Sequence, residues 1–104
     1  MGLEKRKELH RILSEVLGSN NVYFQPPEGK RLSYPCVVYS RNYANTKYAD
    51  NRTYAFRYRY KITYIDSNPD SDFVERLGQR LPMCIFDQHY TADNLNHEVL
   101  NVYY

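Results

Sequence analysis

A chain of 104 residues, 42% hydrophobic and 25% charged, has the size and make-up of one ordinary globular domain spanning residues 1–104. A net charge of +2 is too small for the dense basic patch of a dedicated duplex-DNA binder, and no apolar run approaches the ~18 residues of a membrane span. Met1 to Arg11 is charged and lacks the apolar region of a signal peptide, so the expectation is a soluble protein made in the cytoplasm, with no membrane partner. The composition departs from average in one respect, its 12 Tyr against no Trp. Tyrosine joins a large apolar ring to a polar tip, which suits surfaces buried in part or only on association.

Residues 3 to 17 place Leu9, Ile12, Leu13, Val16 and Leu17 on one helical stripe, with opposite charges at neighbouring turns and Gly18 as a stop. Val22 to Gln25 reads as a short strand closed by Pro26-Pro27-Glu28-Gly29. Tyr34 to Tyr43 reads as the next strand, and the polar stretch Ala44 to Arg52 as a long hairpin loop. From Tyr54 to Ile65 the chain alternates strictly. Tyr54, Phe56, Tyr58, Tyr60, Ile62 and Tyr64 share one parity, and Arg57, Arg59, Lys61 and Thr63 the other. Successive strand side chains point to opposite faces, so this is a strand with an aromatic, core-building face and a basic one. Ser67-Asn68-Pro69-Asp70 marks the start of a second helix, with Pro69 or Asp70 near its first turn. Phe73, Val74, Leu77 and Leu81 line one face of that helix before Pro82. Cys84 to Tyr90 and Leu95 to Tyr104 complete the order helix, three strands, helix, two strands. The fold class is α+β, a mainly antiparallel sheet with two helices packed on one face. The tripeptide Ala-Asp-Asn occurs at 49–51 and again at 92–94, which shared turn chemistry explains.

Candidates for chemistry are sparse. Asp87, His89, Asp93 and His97 crowd the last hairpin near Cys84, but their spacing matches no established metal loop, and no nucleotide-binding or hydrolase motif is present. No catalytic residue, metal ligand or cofactor is assigned. Cys36 and Cys84 form no CxxC and read as reduced thiols. The basic strand, flanked by Arg41, Lys47 and Arg52, leaves a single-stranded nucleic-acid-binding module as one alternative. Interface formation fits the residues better, because helices covering the aromatic side leave the basic side of a single sheet open. A strand ending in Tyr103-Tyr104, so near the chain end, is expected at a sheet edge, where neighbours can add strands. The interface candidates are therefore Arg57, Arg59, Lys61, Tyr103 and Tyr104. The hairpin loop offers Lys47, Tyr48, Asp50, Asn51 and Arg52 as a docking element.

Tyr34-Pro35, Tyr48-Ala49-Asp50-Asn51, Ile65 to Ser71 and His89-Tyr90-Thr91-Ala92-Asp93-Asn94-Leu95-Asn96-His97 resemble segments of small tail proteins of long-tailed bacteriophages. The chain is most similar to the tail terminator, or tail-completion, family, over roughly residues 34 to 97. The resemblance implies helices packed on an antiparallel sheet and a homo-oligomeric ring, typically hexameric, in the virion. Such a ring caps the tail tube, ends its polymerisation and joins tail to head. The partners implied are other copies of the chain, the tail tube protein and a head-neck connector protein, with DNA only passing through the lumen and no enzymatic activity. A head–tail connector subunit of the neck is the alternative within that class.

Overall fold

The computed structural model describes residues 2–49 and 52–104, with side chains described for residues 4–41 and 58–104. Seven elements follow in order: α1 (Gly2–Leu17), β1 (Val22–Phe24), β2 (Cys36–Ala49), β3 (Arg52–Asp66), α2 (Phe73–Arg80), β4 (Cys84–Ala92) and β5 (Leu95–Tyr103). The strands form one five-stranded sheet in the order β1-β2-β3-β5-β4. β1 runs parallel to β2, and every other pairing is antiparallel. This is the α+β class expected from the sequence.

Alternation in β3 sets the layers. Tyr60, Ile62 and Tyr64 are buried, whereas Lys61 between them is exposed. Register carries the same face across the sheet: Tyr60 lies opposite Val102 on β5, Ile62 opposite Leu100 on β5 and Tyr39 on β2, and Tyr64 opposite Val37 on β2. Onto this face α1 lays Leu9, Ile12, Leu13 and Val16, and α2 lays Phe73 and Leu77, all in one buried cluster. Both helices thus cover the same side of the sheet. Each such aliphatic side chain contributes about 1.5–3 kcal/mol by leaving water, which is why two short amphipathic helices suffice to hold it. Gly18 ends α1 at φ +80°, and its N–H donates to Ser14 O at 2.8 Å. No helix among the described residues is long and apolar enough to cross a membrane.

Three expectations need correction. α2 begins at Phe73, not near Pro69. Asp66 accepts from Asn68 N, Asn68 from Asp70 N and Ser71 Oγ from Phe73 N, so local side chains satisfy the backbone donors that a helical start would use.

The supposed docking loop 44–52 is mostly strand. β2 continues to Ala49 and β3 starts at Arg52, with Ala49 paired to Arg52. Lys47, Tyr48 and Arg52 therefore lie in paired strands, while Asp50 and Asn51 fall outside the described residues. At the β4–β5 hairpin Asp93 and Asn94 sit at φ 53° and 63° between paired Ala92 and Leu95, the two-residue turn with both central residues left-handed that Asp and Asn tolerate. Polar composition alone therefore does not make a stretch a loop.

Third, β5 is not at the edge: it pairs with β3 on one side and β4 on the other. The tight turn at 93–94 lays β4 outside it. β5 is the strand suited to the interior, with Leu100 and Val102 buried on the helix side and Val99 on the other.

Burial predicts a sharp contrast. Phe73 is fully buried and stacks on Tyr64 with centroids 4.3 Å apart. Phe73→Ala should cost about 3–5 kcal/mol in denaturant unfolding, while Lys61→Ala should stay within roughly 0.5 kcal/mol. Equal losses would contradict the assignment of faces.

Candidate functional site

Where β2 and β3 leave the sheet, tyrosines and cations interlock. Tyr39 and Tyr60 are buried, with ring centroids 6.1 Å apart. Their hydroxyls need partners, because an unmade hydrogen bond at a buried polar tip costs more than a made one returns. Tyr39 Oη meets His10 Nδ1 at 2.8 Å and accepts from Arg6 at 3.4 Å, both from α1. Tyr60 Oη accepts from Arg41 at 3.3 Å. The Arg41 guanidinium also lies over the Tyr58 ring, 3.9 Å from its centroid. Its Nε is buried without a hydrogen-bond partner, a cost that the stack offsets. This layer ties α1 to the base of the hairpin. Farther out, from Ala44 opposite Tyr58 to Ala49 opposite Arg52, β2 and β3 pair only with each other among the described residues. They form a two-stranded ribbon that extends the molecule to 51 Å along its longest axis, against 26 and 23 Å across.

The face away from the helices carries Val38, Ser40, Lys61, Thr63, Asn101 and Tyr103 across β2, β3 and β5, as their register with the core-facing residues requires. Lys61 is exposed and Arg59 half-buried. Arg59 lies directly opposite Tyr103, so two of the expected interface residues meet in the fold. Arg57 is in β3, and its side chain lies outside the described residues. Tyr104 behaves differently from Tyr103: its ring is half-buried against the core, with Lys5 Nζ 5.6 Å from the centroid, and its N–H donates to Tyr58 O. Tyr104 thus packs on its own chain under α1, and is not the free anchor that an edge strand would have made it.

The exposed apolar surface is on β4, which sequence reasoning did not single out. β4 is the long edge of the sheet, and Ile85, Phe86 and Tyr90 are 57%, 52% and 43% exposed. Ile85 pairs with Asn101 and Phe86 with Leu100, so the two point to opposite faces, and neither face of this strand is covered. A bulge between Phe86 and Gln88 interrupts the register at Asp87. A signal was present: Met83-Cys84-Ile85-Phe86 is apolar at consecutive positions, which one-sided burial cannot use.

The titratable residues of the last hairpin divide between the two faces of the sheet. His89 lies opposite Glu98, with Nδ1 3.6 Å from Oε1, whereas the adjacent His97 stacks on Tyr90 on the other face at 4.6 Å. No group of three His, Cys, Asp or Glu side chains that could hold a metal occurs among the described residues. Cys36 is buried and Cys84 half-buried, both as free thiols; burial pushes the Cys36 thiol up to about 11, away from the reactive thiolate. Compared with known proteins, the chain matches no family model, no curated protein and no solved structure.

The contact of α1 with the ribbon base makes stability pH-dependent. Burial, and next the Arg6 guanidinium, hold the His10 imidazole below its ordinary value of 6.5. The unfolded chain therefore binds this proton more readily than the folded one. The contribution is full above pH 6.5 and is lost as pH falls through and below that value. Melting temperature should fall between pH 7.5 and pH 5.5, roughly, with a shallower slope for His10→Gln. Identical slopes would remove His10 from the balance.

Proposed function

We propose that the chain is a structural subunit of a bacteriophage virion that assembles into a ring, caps the tail tube, ends its polymerisation and joins tail to head. The observation that carries this reading is the uneven covering of the sheet. Helices shield one face; the other is covered only in part, with Cys36, Ile65 and Val99 buried but Lys61 exposed, while β4 keeps an unpaired edge and the ribbon strands pair only with each other among the described residues. A two-stranded ribbon that leaves its sheet gives an assembly a lever that reaches a neighbour or the tube. The sequence resemblance to tail terminators adds to this, including its expectation of a ring closed by heterologous contacts.

In this reading the partners are further copies of the chain, the tube protein and a connector of the neck. Lys61 and Arg59 face a neighbouring copy or the lumen, where DNA passes without being read. The nucleic-acid-binding alternative loses its main feature, because Tyr60 and Tyr64 are buried under helices and cannot stack on bases.

Tube assembly tests the function directly. Added to polymerising tube protein, the chain should shorten tubes in proportion to its concentration and appear as a ring at one end in electron micrographs. Light scattering of the closed species should give a mass several-fold above the 12.5 kDa of one chain. Tubes of unchanged length with no terminal density would overturn the reading.

A further inference from the structure

The charges of this chain are sorted by hairpin. From 41 to 61, the ribbon and its base carry Arg41, Lys47, Arg52, Arg57, Arg59 and Lys61 against the single carboxylate of Asp50. From 81 to 104, the β4–β5 hairpin carries Asp87, Asp93 and Glu98 and not one Lys or Arg. The two hairpins occupy different parts of one sheet, with the ribbon leaving at the Arg59–Tyr103 end of β3 and the β4–β5 turn at the Asp66–Asn96 end. Within a monomer most of this attraction goes unused, since the basic ribbon continues away from the acidic turn.

From this sorting, with the edge of β4 uncovered, we infer that β4 accepts the β2–β3 ribbon of a second copy by strand addition, the acidic hairpin of one chain receiving the basic ribbon of the next. Three features select that occupant. β4 offers nine residues of edge backbone from Cys84 to Ala92, and the paired ribbon strands beyond the sheet have outer edges of matching order of length. Ile85, Phe86 and Tyr90 are exposed and gain burial on both faces of an added strand. A second β4 is the wrong partner, because pairing β4 with itself gathers the Asp87 carboxylates of both copies at one contact with no Lys or Arg on either strand. The contact joins two different surfaces, so it propagates from copy to copy and is of the kind that closes a ring. The inference rests on the self-assembly part of the function proposed above, and it names the surfaces that meet.

Complementary charge reversal tests it on the full chain. One variant carries Asp87→Lys and Gln88→Lys on exposed β4 positions, the other Arg52→Glu and Arg57→Glu on the ribbon. Sedimentation velocity at low salt should show the wild type associating as concentration rises and dissociating on salt addition. Each variant alone should be at least tenfold weaker in self-association. An equimolar mixture should recover it, because the basic β4 of one then meets the acidic ribbon of the other. Recovery on mixing also shows that both variants are folded. Amide exchange should slow across 84–92 in the associated wild type.

Association that survives both variants, or is lost in both and not recovered on mixing, overturns the inference. So does a wild type that stays monomeric and gains β4 protection only when tube protein is added, since the occupant is then a foreign strand. Recovery on mixing by a protein that leaves tube length unchanged would uphold this contact while removing the tail function, so the two failures are distinct.

Discussion

Packing of Tyr60, Ile62 and Tyr64 beneath α1 and α2 is the contact from which the other features of the molecule follow. These residues occupy one face of the longest strand, and their burial commits the opposite parity, with exposed Lys61, to the side away from the helices. It also aligns Val37 and Tyr39 on one neighbouring strand and Leu100 and Val102 on the other, so that one choice of face propagates across three strands. Shifting β3 by one residue would put Lys61 and Thr63 under the helices, where a cation without a partner costs far more than a small domain's margin of stability.

Tyrosine in such a core carries a condition, because each ring brings a hydroxyl that needs an answer. The fold places its answers at the rim. Tyr64 donates to Asp66 and meets Ser71 at the loop leading to α2; Tyr39 meets His10 and Arg6 from α1; Tyr60 accepts from Arg41. Burial, with Asp66 next, pushes the Tyr64 phenol up to about 12, so it stays a neutral donor. The polar tips therefore bind helices and loop to the sheet instead of weakening the core. This accounts for an abundance of Tyr with no Trp, whose single N–H can only donate and would not serve an Arg or a His in the same way.

Uneven covering of the sheet links this packing to assembly. Two helices of 16 and 8 residues cover the central strands but leave Ile85, Phe86 and Tyr90 of β4 exposed, and β5 pairs with β3 no farther than Arg59. What they leave open is not uniformly polar: an apolar edge with acidic residues lies at one side of the sheet and a basic ribbon leaves from another. In the proposed reading as a ring subunit, a neighbouring copy covers what the helices leave open.

Much of this was legible in the residues. The period-two alternation of 54 to 65 determined which face of β3 is core, since no other register buries the rings. The stripes of 9 to 17 and 73 to 81 determined two helices with one apolar face each. Order in the sheet was decided only by tertiary structure. Nothing local distinguishes β4 from β5 as the edge, since both carry apolar residues on both faces; pairing of β5 with β3 is what leaves β4 outside. The length of the ribbon was hidden for a related reason. Polar residues from 44 to 52 suit a loop or a strand equally, and only cross-strand pairing, settled by backbone contacts and not by composition, chooses between the two.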